Sequence, residues 1–249
     1  MNNSSPLISI ITVTYNAANI IQRTLDSVKE QSFTDFEYVV IDGNSSDATV
    51  ELVKEADIPH THIISEPDKG LYDAMNKGIK TATGKYLLFL NAGDTFHSSD
   101  TLALYAQKAL EDKDIIYGDT IIVNQEGEFI APRHLSVPDK LTKKSFSKGM
   151  LICHQAFMVK KSLAPLYNLN YRFSADYDWC VKCINNSLAQ NCQNLREVTI
   201  DYLADGLTDK NKWKSLRERF RIMASHYGFV STSLNHLSFF LRAFKRGKI

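Results

Sequence analysis

Residues 7–15 read LISIITVTY, an almost unbroken apolar and β-branched run that closes on the polar Thr14-Tyr15-Asn16. A run with no apolar–polar alternation is what a strand buried on both faces requires. Behind it, Ile20, Ile21, Leu25 and Val28 recur at helical spacing, with Asn19 as the expected N-cap. The same rhythm repeats downstream: strands over 36–41, 62–65 and 85–90, and helices over 47–56, 71–82 and 101–110. Strand and helix alternating in this way predict an α/β fold with a mainly parallel central sheet.

After Asp114 the alternation lapses. Candidate strands at 115–117, 120–124 and 152–159 follow, with mixed or antiparallel pairing expected, then a helix over 175–184. From 213 onward two helical pieces are expected, broken near Gly228. The reading divides the chain into a domain over 1–205 and a basic amphipathic tail over 206–249.

The 249 residues suffice for one catalytic domain with an appendage. Lys and Arg total 29 against 28 Asp and Glu, so no nucleic-acid partner is expected. From Lys210 onward there are ten Lys or Arg against the single acid Glu218, which makes the basic charge a property of the tail. There Leu216, Phe220, Met223, Ala224 and Tyr227 form one apolar set, and Leu234, Leu237, Leu241 and Phe244 a second, ending in the cationic stretch 245–248. Basic amphipathic helices of this kind suit peripheral contact with an anionic membrane. No leader pattern and no apolar run of transmembrane length are present, so the expected location is cytoplasmic, at the inner face of the membrane. Cys153, Cys180, Cys183 and Cys192 are then read as reduced, mostly buried thiols rather than a zinc site.

Ligands of parallel α/β sheets bind beyond the carboxyl ends of the strands, and three of those ends are unusually polar here. They are Thr14-Tyr15-Asn16, Asp42-Gly43-Asn44-Ser45-Ser46-Asp47 and Asn91-Ala92-Gly93-Asp94. Asp42 is placed to accept from a nucleobase or ribose, or else to stabilise its own turn. Asp94 suits a hard cation bridging two phosphates, or a helix cap. No G-x-G-x-x-G follows the first strand, and no G-x-S-x-G elbow or P-loop occurs, which argues against dehydrogenase, hydrolase and nucleoside-triphosphatase readings.

Taken in order, S-I-I-T-V-T-Y-N, V-V-I-D-G-N-S-S-D-A-T, E-P-D-K-G-L-Y-D-A-M-N-K-G and L-F-L-N-A-G-D resemble the family-2 inverting glycosyltransferases of the GT-A fold. Among them the chain looks like the bacterial polysaccharide-biosynthesis transferases of the colanic-acid type. The resemblance spans roughly residues 7 to 180. It implies a Rossmann-like nucleotide-binding half, a nucleotide-sugar donor, taken to be UDP-linked, and a glycan or lipid-linked acceptor. Thr14, Tyr15, Asn16, Asp42, Asp68, Lys69 and Gly70 become the implied nucleoside contacts, and Asn91, Ala92 and Gly93 line the donor. The family's Asp-x-Asp metal motif survives only in its last carboxylate, so Asp94, with His154 as second ligand, is the implied holder of Mn2+ or Mg2+. Asp176 is the implied general base and Asp178 its reserve, with Gln155 and Trp179 toward the acceptor. The missing first Asp leaves a non-catalytic nucleotide- or sugar-binding protein as the alternative.

Overall fold

The computed structural model describes residues 5–204 and 212–245. Its nine strands are β1 (Ile8–Thr14), β2 (Phe36–Asp42), β3 (Thr61–Ser65), β4 (Tyr86–Phe89), β5 (Thr95–Phe96), β6 (Ile115–Val123), β7 (Phe129–Pro132), β8 (Phe157–Lys160) and β9 (Cys192–Leu203). Its helices are α1 (Ile21–Lys29), α2 (Thr49–Glu55), α3 (Leu71–Thr81), α4 (Thr101–Leu110), α5 (Ala175–Asn186), α6 (Lys212–Tyr227) and α7 (Phe229–Lys245). One sheet runs in the order β3-β2-β1-β4-β8-β6-β9-β5, with β7 paired to β6.

The first four strands are mutually parallel, as the buried apolar runs require, and every residue of β1 and β2 is buried. Their register sets Thr14 beside Asp42 and Asp42 beside Ser65, so three polar strand ends share one row. The helix α3 lies close over this half: a Cβ on Gly78 would come 2.5 Å from Ile11 Cγ2. At the opposite end of β2 the buried Glu37 carboxylate accepts from Ser9 Oγ at 2.6 Å and from the Gly84 amide at 3.0 Å, which ties β1 and the start of β4 together. Beyond β4 the pairing turns mixed: β8 is antiparallel to both β4 and β6, whereas β6 and β9 run parallel.

Three sequence expectations are corrected. The run at 152–159 is not one strand; a 3-10 turn, His154–Ala156, precedes β8. The two short strands expected between 115 and 124 are the single strand β6. Asn19 does not cap α1, whose first amides are met by the Ala17 carbonyl. The strands β5, β7 and β9 were not anticipated at all.

The two tail helices break at Gly228, which adopts φ 85°. Among the described residues α6 is not a free appendage: Ile222 and Met223 are buried, and Phe220 meets Phe229 and His236 of α7 edge-on. The side chains of Leu241, Phe244 and Lys245, and residues 246–248 of the cationic stretch, lie outside the description. No helix among the described residues is long and apolar enough to cross a membrane.

Candidate functional site

At the end of β2 the Asp42 carboxylate is wholly buried and takes four hydrogen bonds: from Thr14 Oγ1 (2.9 Å), Ser65 Oγ (2.7 Å), and the Ser45 amide (2.9 Å) and hydroxyl (2.5 Å). Burial alone would raise its pKa, and these donors more than reverse the effect. Four bonds fill the lone pairs of a carboxylate. Asp42 therefore knots three strand ends together, and the residues around it form the exposed rim. Asn16, at φ 48°, accepts from the Ser46 amide and donates its own amide to Ser45 Oγ. Tyr15 stands 67 % exposed. A Cβ on Gly43 would lie 2.5 Å from Asp68 Oδ2 and 3.3 Å from Tyr15 Cδ2, so Tyr15, Gly43 and Asp68 converge on one notch. Asp68 accepts from the Gly70 amide at 2.7 Å, while Lys69 is exposed on the same loop.

The turn after β4 is held from several directions. Thr24 Oγ1 of α1 accepts from the Gly93 amide and donates to the Asp94 carbonyl. The Asp94 carboxyl is buried and accepts from Gln155 Nε2 (2.7 Å) and the Leu203 amide (2.9 Å); burial nevertheless pushes it up to about 7. Gly93, at φ 95°, adopts a backbone conformation that suits glycine, and a Cβ there would sit 2.8 Å from Leu203 Cδ2. Ala92 is half-buried, and Asn91 Oδ1 is buried without a partner among the described residues.

His154 is closed inside an aromatic cluster, with ring centroids 4.9 Å from Phe89, 5.4 Å from Trp179 and 5.8 Å from Tyr167, and its Nε2 meets the Tyr167 hydroxyl. Burial pushes its imidazole down to about 4, so it is neutral. Among the described residues no group of three or more His, Cys, Asp or Glu side chains converges to hold a metal ion. His154 is engaged by Tyr167, Asp94 has two of its four lone-pair sites taken by N–H donors, and Asn91 offers one neutral oxygen, so these side chains do not converge as a preformed cation site among the described residues. Gln155, expected toward the acceptor, spends its amide on Asp94. Trp179 is fully buried and donates to the Pro165 carbonyl, so its surface is turned inward.

The two carboxylates of α5 have different surroundings. Asp178 is buried and pairs with His226 (2.7 Å) and Lys182 (2.7 Å). Asp176 is partly exposed, and among the described residues its carboxylate takes one hydrogen bond, from Tyr72 at 3.1 Å. The turn before α5 is gripped by α6, where Glu218 accepts from the amides of Arg172 and Phe173. Two shallow cavities, of about 320 and 220 Å³, meet at Gln125 and Leu203 and contain none of these carboxylates.

Sequence reasoning missed Tyr72, Tyr167, Ser45, Ser65 and Leu203 as members of this site. Tyr72 stands inside a quoted motif and was legible in principle. Tyr167 and Leu203 carry no local signal, since only the fold brings them to the site.

Residues 9–164 match the model of the family described as Glycosyl transferase family 2. A curated relative, the PGL/p-HBAD biosynthesis glycosyltransferase of Mycobacterium bovis (strain BCG / Pasteur 1173P2), is 37% identical over 191 residues, covering 74% of this chain and 72% of that protein. In structure, S. aureus TarS 1-349 in complex with UDP-GlcNAc superposes with a TM-score of 0.74 at 19% identity, over 96% of this chain and 73% of that one. The mannosyltransferase PcManGT from Pyrobaculum calidifontis, in complex with GDP-Man and Mn2+, gives 0.57 at 17% identity, over 95% and 75%.

Proposed function

The chain belongs to glycosyl transferase family 2 and has the GT-A fold, and from that membership we propose that it moves a sugar from a UDP-linked donor to a hydroxyl of a glycan or lipid-linked acceptor, with inversion. The observation that carries the chemistry is the contrast on α5. Asp178 is held by Lys182 and His226, whereas Asp176 keeps an oxygen for a substrate. As the acceptor hydroxyl attacks the anomeric carbon, its proton passes to Asp176, and the bond to the diphosphate breaks with its electron pair leaving on the nucleotide. One base on the face opposite the leaving group is what a single in-line displacement needs.

The donor is read into the notch at the strand ends. The Tyr15 ring offers a stacking face and Asp68 a hydrogen-bond acceptor, with Lys69 and Gly70 beside them and Thr14, Asn16 and Asp42 shaping the rim from behind. The unpartnered Asn91 oxygen suits a ribose hydroxyl. Cell-surface glycan assembly is supported by the tail. On α7 Val230, Leu234 and Leu237 face outward, opposite the buried Thr232, and Lys214, Arg217 and Arg221 are exposed on α6. That pairing suits an anionic bilayer, and co-sedimentation with phosphatidylglycerol vesicles but not phosphatidylcholine vesicles is the expected outcome.

The activity test follows nucleoside diphosphate release from individual UDP- and GDP-sugars with oligosaccharide and polyprenyl-linked acceptors. Asp176→Asn should lower turnover by roughly 10²- to 10⁴-fold. Equal turnover in the variant would remove Asp176 from the reaction, and no release with any donor would favour the non-catalytic alternative.

A further inference from the structure

The donor-side loop and the base are joined through one helical turn. Residues 66–70 are fastened to the start of α3: the Lys69 amide donates to Asp73 Oδ2 (3.0 Å), and Lys77 Nζ donates to the Pro67 carbonyl and pairs with Glu66, both at 2.8 Å. The second residue of α3 is Tyr72, whose ring is buried and whose hydroxyl donates to Asp176 Oδ1 across 104 residues of sequence. That ring cannot swing freely. It stacks on Tyr167 with centroids 5.5 Å apart, and Tyr167 stacks on Trp179, itself on α5, at 5.1 Å and 11°. Asn76, one turn further along α3, exchanges two bonds with the Tyr167 backbone, so helix and stack move as one body.

We propose that Tyr72 is a positioning residue for Asp176: it fixes one carboxylate oxygen, turns the other to the acceptor hydroxyl, and couples the seating of the donor at 66–70 to the orientation of the base. The inference rests on Asp176 being the base. A carboxylate on a short side chain has several rotamers, and holding one of them is worth a substantial factor in rate when the reacting atoms must lie in line. The hydroxyl remains a donor throughout the working range, because burial and the adjacent Asp176 push its pKa well above the ordinary phenol value. The other titratable groups facing this corner are Tyr167 and His154 on the aromatic side, Cys180 on α5 and Glu218 on α6. Burial keeps the first three of these neutral, which leaves Glu218 as the further charge.

The test is Tyr72→Phe, which retains the stacked ring and deletes only the hydroxyl. Steady-state release of nucleoside diphosphate is measured with UDP-glucose, UDP-N-acetylglucosamine and GDP-mannose, each with water or an added oligosaccharide as acceptor, beside native protein and Asp176→Asn. The expected result is a fall in kcat of roughly 10- to 100-fold. KM for the donor should stay within about twofold, as for loss of an interaction made only in the transition state. The thermal midpoint should stay within ~2 °C of native. An unchanged kcat, a raised KM at native kcat, or a kcat loss matched by a fall in thermal midpoint would each overturn the positioning role while leaving Asp176→Asn inactive. Native turnover in Asp176→Asn, or no release from any donor, would overturn the base reading and this inference with it.

Discussion

The three acidic residues expected to hold the metal or take the proton, Asp94, Asp176 and Asp178, end in three different surroundings, and each can be tested separately. For Asp178, burial raises the pKa and the bonds from His226 and Lys182 more than reverse that, leaving it lowered. Its contribution to stability is therefore complete above the unfolded value near ~3.9 and is lost as pH falls through the lower folded value. Asp178→Ala should cost about 2 kcal/mol at neutral pH, less than the ~3–5 of a fully buried pair because Lys182 reaches solvent. The gap to native in denaturant midpoint should narrow below about pH 4; a constant gap would mean that packing rather than charge is being lost. Asp94 has the opposite sign. Burial holds its folded carboxyl at about 7, so between roughly pH 4 and 7 the native state binds more protons than the unfolded chain and stability declines as pH rises. Asp94→Asn should flatten the thermal midpoint across that window, and an equally sloping profile in the variant would place the titration elsewhere. The sequence located all three carboxylates but not these differences, because the partners Gln155, Leu203, Lys182, His226 and Tyr72 come from five separate segments.

Among the elements, those with one period and buried faces were the legible ones. The runs at β1, β2 and β4, and the spacing of Ile21, Leu25 and Val28, carry their own instructions because burial on known faces dictates residue type. The longest strand, β9, was invisible for the converse reason: CQNLREVTIDYL mixes polar and apolar residues without strict alternation, and Arg196 sits at φ 60° within an irregular register. Its ladder with β6 is a tertiary event. The run at 152–159 misled in the other direction, because continuous apolarity marks burial and does not distinguish a strand from a buried 3-10 turn. The tail helices were found by period, but the face they use was not. Hydrophobic spacing on α6 reflects packing on α5, with Ile222 and Met223 inside, whereas Leu234 and Leu237 of α7 point outward. Ile222→Ala should therefore destabilise the whole domain by about 2–4 kcal/mol in a denaturant melt. A cost below about 1 kcal/mol would detach α6 from the core.

At the level of the molecule, the order of the strand-end motifs was enough to state the fold class. Three parallel strands in register must deliver their terminal polar residues to one edge, and they do so at Thr14, Asp42 and Ser65. The contacts around this edge depend on long-range closure. Asp42 is spent on the rim, Leu203 covers Gly93, and α3 carries both the 66–70 loop and Tyr72, which donates to Asp176. The central claim is that the notch and Asp176 are separable parts of one transferase, the first binding the donor and the second acting on it. Calorimetric titration of native chain and Asp176→Asn with UDP, GDP and their sugars, paired with turnover on the same samples, tests this most directly. The account predicts that one nucleotide series binds both proteins with similar affinity while turnover survives only in the native chain; absence of binding by every nucleotide, or native turnover in Asp176→Asn, would contradict it.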